Sequence, residues 1–171
     1  MVADWFNKYA CKYEVTNPKR VAGFFAETIH ESASFTATRE FNSGSAYEGR
    51  KDLGNIFKGD GVKFKGRGYI QITGRTNYAA VSKHIFGDDT LLKNPDLLAT
   101  PQYAMLSALW YWKENGLNEQ ADKQFFYTIS VRINGKNKDG LPNNWLDRVH
   151  YYNLLCAEFN LPLYDAEKRS I

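Results

Sequence analysis

Two carboxylates nine residues apart, Glu31 and Glu40, are the pair in this 171-residue chain best set for acid–base chemistry. Glu31 lies in the run Phe24-Phe25-Ala26-Glu27-Thr28-Ile29-His30-Glu31-Ser32. There Val21, Phe24, Phe25, Thr28 and Ile29 recur at helical spacing and form an apolar stripe. On that helix Glu31 falls about a quarter-turn from the stripe's centre, where core meets solvent. Partial desolvation favours the protonated form of a carboxyl, which is the form a general acid needs. Glu40 follows a short polar stretch, and two carboxyls in unlike surroundings are what glycosidic-bond hydrolysis requires. A lone Glu at a helix end is ordinarily a surface residue, so the pair gains meaning only from its setting.

Other chemistries fit less well. His30-Glu31 begins like a zinc-protease motif, but that motif needs a second His four residues on, and position 34 is Ser. His30 is expected to pack and hydrogen-bond across a cleft wall, with no metal bound. The stretch around Asp139-Gly140 lacks the carboxylates of a calcium loop at its first and last positions. Gly66-Arg67-Gly68 lacks the Lys-Ser/Thr of a phosphate loop. Ser32 and Ser34 lack the glycines of a nucleophile elbow. Lys58, Lys63, Lys65, Arg67 and Arg75 are basic, yet no nucleic-acid motif accompanies them. They are expected to form a solvated rim.

The elements that must position this pair are mostly helical. Asp4–Tyr13 carries Trp5, Phe6, Tyr9 and Ala10 at helical spacing. Asn17-Pro18 is an N-cap with proline in the first turn, opening a helix that ends near His30. Periodicity then dissolves from Ser32 to Gly61 into a long loop. Ile70 and Ile72 suggest a short extended piece within the Gly-rich Phe64–Arg75 block. Further helices are expected over Asn77–Ile85, from Pro95, from Pro101 to about Gly116, over Gln124–Arg132 and from Trp145 onward. Gly135–Asn144 is polar and broken by Gly140 and Pro142.

Length sets one domain, residues 1–171, with a single core. A net charge of +3 is too weak to demand nucleic acid, but it favours approach to anionic surfaces. No apolar run reaches membrane-spanning length, so no stable membrane insertion is expected. No signal-peptide pattern opens the chain, which implies synthesis in the cytoplasm and passage outward through another protein. Cys11 and Cys156 are expected as two buried thiols rather than a staple between the ends.

The helix run, Ala46-Tyr47-Glu48-Gly49-Arg50 with Asp52-Leu53-Gly54-Asn55, Gly59-Asp60-Gly61, the block Phe64–Arg75 with Asn77-Tyr78, then Ile133-Asn134-Gly135 and Asp147-Arg148 together resemble glycoside hydrolase family 19. The blocks run in family order from about Val21 to Tyr152. This resemblance implies a mainly α, two-lobed, lysozyme-like fold with a substrate cleft and no cofactor. It implies Glu31 as general acid, Glu40 as general base and Thr73 as the hydroxyl that holds the attacking water. It implies a substrate-binding set of His30, Tyr47, Glu48, Gln71, Asn77 and Asn134, with Arg148 buried near the acid. Glu27 departs from the family, where many members carry Gln, and one turn before Glu31 it would act on the acid by like-charge repulsion. The Phe41–Gly61 loop is also shorter than in many members.

Because the family's cysteine-rich secreted branch does not match, the expectation is a phage-type endolysin. It would be a monomeric muramidase cutting bacterial peptidoglycan by inversion, drawn to the anionic wall by Lys58, Lys63, Lys65 and Arg67. A chitinase with the same machinery is the alternative. An inactive glycan-binding module is the alternative of another class, disfavoured because both carboxylates and Thr73 are present.

Overall fold

The computed structural model describes residues 2–167. α1 (Val2–Tyr9) continues into a 3-10 turn over Ala10–Tyr13, and Arg20 N donates to the Asn17 side chain to cap α2 (Pro18–Glu31). The expected helix and its cap are therefore present. After α2 come two 3-10 turns, Ser45–Tyr47 and Lys51–Leu53, then the short α3 (Asp60–Lys63) and α4 (Arg75–Phe86). α5 (Thr90–Lys93), a 3-10 turn at Pro95–Ala99, α6 (Pro101–Glu114), α7 (Leu117–Asp122), α8 (Phe126–Asn134) and α9 (Trp145–Glu158) complete the order. The mainly α, lysozyme-like class is what the sequence implied. α3, α5 and α7 escaped it because each is at most six residues long, too short for periodicity to register.

The core forms where α2 crosses the others. Phe24 meets Trp112 of α6 edge-on at 5.6 Å, and Phe126 of α8 stacks on Tyr152 of α9 at 4.1 Å and 7°. Burying aromatic pairs of this size fixes the helices to one another, each pair adding about 0.5–1.5 kcal/mol beyond its area. α2 packs most extensively against α9. That contact holds the C-terminal turn of α2 rigid against the strongest part of the core.

Outside the helices, the backbone around residues 38–74 is pinned by a few bonds rather than by a sheet. Arg67 and Ile72 exchange N–H···O bonds of 3.1 and 2.8 Å, closing a tight hairpin. Gly68 N donates to Thr38 O at 2.9 Å and Glu40 N to Gly66 O at 3.0 Å, which lays Thr38–Glu40 alongside it. Arg75 closes the base of this region with two bonds of 2.8 and 2.6 Å to Asp60, which is almost fully buried. The Arg75 bonds, more than burial opposes them, hold the Asp60 carboxyl below the usual range.

Two expectations need correction. Cys156 is buried, but Cys11 is exposed, because it sits on the outer side of the first 3-10 turn; both are free thiols. The basic rim is also smaller than expected. Arg67 is only 6% exposed and donates to Asp96 and to the Tyr78 hydroxyl, and Arg75 is committed to Asp60. Their charges are spent internally. None of the described helices is long and apolar enough to cross a membrane.

Candidate active site

Glu31 is the last residue of α2, with its side chain 15% exposed. Its place at the core–solvent boundary is the one the apolar stripe predicted. Arg148, in the first turn of α9 and 1% exposed, donates Nη2 to Glu31 Oε1 and Nη1 to Glu27 Oε2. Glu27, fully buried, accepts at its other oxygen from the Ser130 hydroxyl of α8. Arg148 Nε is satisfied by Asn143 O at 2.9 Å. Three helices thus contribute to one closed network in which a guanidinium bridges two carboxylates.

The network's electrostatics follow from burial. Desolvation pushes the Glu27 carboxyl upward; Arg148 and Ser130 pull it back, Glu31 adds to the rise, and the result stays above the ordinary value. Burial works against the charged Arg148, but the two carboxylates outweigh it and hold its pKa above the usual range. His30 Nδ1 lies 3.7 Å from Asp147 Oδ2. Burial and then Arg148 lower the His30 pKa, with Glu31 and Asp147 opposing, so the ring is neutral near pH 7.

Between Glu31 and Glu40 the chain reverses through Ala33, Ser34 and Phe35, all with positive φ of 45, 58 and 65°. Three such non-glycine residues in a row cost about 1–2 kcal/mol each. The turn is held because Ser32 Oγ donates to Thr28 O at 2.6 Å and accepts from Phe35 N at 2.8 Å. Phe35 then packs edge-on against Tyr69 at 5.0 Å. Backbone strain here serves delivery of Glu40 to the hairpin.

Glu40 sits in a different setting. Tyr47 donates its hydroxyl to Glu40 Oε2 at 3.0 Å. Burial, then the bond to Glu40, raise the Tyr47 pKa, so its proton stays in place for that bond. Glu40 Oε1 is buried with no hydrogen-bond partner among the described residues, and Gln71 Oε1 is in the same condition. Gln71 Oε1 and the other Glu40 oxygen, Oε2, crowd the face of Gly66: a Cβ built there would lie 2.8 Å from Gln71 Oε1, 2.9 Å from Glu40 Oε2 and 3.3 Å from Thr73 Oγ1. Only glycine leaves three oxygens room to converge. Thr73 spends its hydroxyl proton on Gln71 O at 2.9 Å, so toward that space it offers lone pairs. Gln71 Nε2 is tied to Gly68 O at 2.9 Å, and its backbone has φ 55°. A groove of about 320 Å³ opens beside Glu40 between Asn42, Ser45 and Tyr47.

The remaining expected residues divide. Asn77 donates to Thr73 O at 2.8 Å and so belongs with the Glu40 group. Asn134, the last residue of α8, accepts from Asn143 N at 2.8 Å and belongs with the Arg148 group. Glu48 joins neither: its two oxygens accept from Gly59 N at 2.5 Å and Gly61 N at 2.9 Å, making it a clamp on the loop. A cavity of about 730 Å³ lies on the Arg148 side, bounded by Leu141, Trp145, Leu146 and Asp147. Asp147 also faces His30, which joins that cavity to the surroundings of Glu31.

Ser130 went unnoticed in the sequence and Asp147 was named there only beside Arg148, without a role; a hydroxyl in an apolar helix and an acid in a first helical turn are both common. Lys65, assigned to the rim, donates to Asn42 O at 3.1 Å and braces the segment after Glu40. Among the described residues no three His, Cys, Asp or Glu side chains group as a metal site.

A model of the family described as Chitinase class I, glycoside hydrolase family 19, matches residues 2–135. Chitinase 4 of Oryza sativa subsp. japonica is 30% identical over 149 residues, covering 84% of this chain and 50% of that protein. A glycosyl hydrolase family 19 domain-containing protein of Haemophilus influenzae is 37% identical over 89 residues, 52% of this chain and 42% of its own length. The chain spans about half the length of the curated relatives it matches. Among solved structures, a class IV chitinase from Zea mays superposes with a TM-score of 0.73 at 25% identity, covering 96% of this chain and 82% of that one. Chitinase C from Streptomyces griseus HUT6037 gives 0.73 at 23%, covering 96% and 70%, a likeness of fold. With the family model matching from α1 to the end of α8, the chain belongs to glycoside hydrolase family 19.

Proposed function

We propose that the chain hydrolyses β-1,4-linked N-acetylglucosamine polymers of the chitin type by a single displacement. Glu31 gives its proton to the leaving glycosidic oxygen. Glu40 takes a proton from water, and that water attacks the anomeric carbon from the opposite face. The observation that carries this reading is that Glu40 Oε1 and Gln71 Oε1 are buried acceptors without partners, while Gln71 Oε1, Glu40 Oε2 and Thr73 Oγ1 converge on the face of Gly66. Buried acceptors are almost always satisfied, so these two call for donors from outside the protein. A water molecule has two protons to give there while keeping a lone pair for attack.

The named relatives support the chitin reading over the wall substrate that the sequence first suggested, since they are called chitinases. With Arg67 and Arg75 committed internally, the charge argument for an anionic polymer also weakens. Peptidoglycan is the second reading, supported by the net charge of +3 and the exposed Lys51 and Lys58. The two separate by product analysis. Purified protein should release new reducing ends from chitohexaose, and more slowly, if at all, from peptidoglycan. Brisk release from peptidoglycan with reduced muramic acid at the new ends, and none from chitohexaose, would replace the first reading by the second.

A further inference from the structure

A second cavity, about 290 Å³, lies far from both carboxylates, between the end of α1, the 3-10 turn that follows it, the end of α4 and the start of α6. Its walls include four aromatic rings, those of Tyr9, Tyr13, Phe86 and Tyr103, with Lys12 and Gln102 among them. Phe86 and Tyr103 tilt against each other at 5.0 Å. The Gln102 amide donates to the Tyr9 hydroxyl at 2.9 Å, fixing that ring's edge. The Lys12 ammonium stands over the Tyr13 ring at 5.4 Å. Among the described residues no carboxylate lines the cavity.

We infer that this cavity is a second saccharide-binding site, taking an N-acetylhexosamine unit of the polymer whose cleavage is proposed above, on which reading the inference rests. The half-buried Tyr9 and Tyr103, with polar tips, and the ring of Phe86 match a pyranose, which has an apolar C–H face and a hydroxylated edge. Tyr13, 2% exposed and paired with His84 at 3.0 Å, backs them. The volume is at the lower end for ligand pockets, about 300–1,000 Å³, which suits one or two sugar units. A lining whose one charge is Lys12 accepts neutral or acidic sugars and disfavours cationic ones. Position argues in the same direction. Thr73 and Gly74 stand at the start of α4 and Phe86 at its end, so the cavity is about 18 Å from the Glu40 group along one twelve-residue helix. A chain held there would extend beyond the reach of the residues around Glu40. The site would therefore act on long or insoluble polymer and leave short oligomers unaffected.

The test is a ¹⁵N NMR titration of the Glu31→Gln protein with chitotriose, which binds without being cut. Amides of Tyr9, Lys12, Phe86 and Tyr103 are expected to shift on their own saturation curve, distinct from those near Glu40 and Thr73. Tyr103→Ala should abolish the first set, keep the second and reduce retention on insoluble chitin by about two- to tenfold, the scale of one lost aromatic stacking contact. Shifts confined to the Glu40 region would overturn the cavity site and leave the proposed reaction intact. Shifts at the cavity alone would support it while counting against the reaction site. Shifts in neither region would overturn both. Full retention of Tyr103→Ala on insoluble chitin, with a folded spectrum, would also overturn it.

Discussion

The Glu31 and Glu40 sides of this molecule solve opposite problems. Around Glu31, three helices enclose a network in which Glu27, Ser130, Arg148 and Glu31 answer one another. Around Glu40, a loop and a hairpin bring together acceptors, two of which have no partner. One side is complete within itself; the other keeps acceptors open. A proton donor needs a fixed, sheltered position, and a fully satisfied buried network provides rigidity. A water-activating group needs unspent acceptors, which a loop held by a few backbone bonds can expose.

If that division is correct, substitutions on the two sides should fail differently. The largest effect is expected for Glu40→Gln, a loss of about 10²–10⁴ in kcat, or roughly 3–5 kcal/mol of barrier, with the melting temperature nearly unchanged. Arg148→Met should do the reverse. It leaves two buried carboxylates facing each other, at a cost of about 3–5 kcal/mol, which lowers the melting temperature by roughly 6–20 °C. An Arg148→Met protein that melts like the wild type would refute the closed network. Gly66→Ala forces a methyl among three oxygens and should reduce kcat by about tenfold or more at an overpacking cost of about 1–3 kcal/mol. Unchanged kcat in Gly66→Ala would mean that the convergence around Gly66 has no part in the reaction.

Glu48→Gln distinguishes the clamp from the base. It should lower the melting temperature by about 2–4 °C, the scale of about 1 kcal/mol, while retaining most activity. A dead Glu48→Gln beside an active Glu40→Gln would reverse the assignment. The smallest effect concerns pH. Glu27 has a pKa raised in the folded protein, so above its ordinary value of 4.5 the folded state keeps a proton that the unfolded state has lost. That contribution to stability is complete below about pH 4.5 and disappears as pH rises through the folded value. Melting curves from pH 4 to 8 should therefore decline more in the wild type than in Glu27→Gln. Parallel curves would show that Glu27 does not titrate in that window.

Legibility in the sequence followed range of interaction. α2 could be read completely, because its cap, its proline and its stripe are all local. Glu27 stood out as a departure, but its burial did not, since a Glu one turn from a helix end is ordinarily solvated. What places it inside is Arg148, 121 positions away, and no local pattern announces such a partner. Arg67 was misjudged for the same reason, and the clamp that Glu48 makes was not foreseen. The partners that occupy them, the N–H groups of Gly59 and Gly61 and the Asp96 carboxylate, are fixed only once the loop has closed.

The most direct test of the central claim, that Glu31 protonates the leaving oxygen while Glu40 activates water in a single displacement, is the anomeric form of the first product. Proton NMR of chitohexaose hydrolysis, followed before mutarotation equilibrates the ends, should show the α-anomer appearing first at the newly formed reducing end. Initial accumulation of the β-anomer would mean retention through a covalent or substrate-assisted intermediate, and would contradict the role given to Glu40.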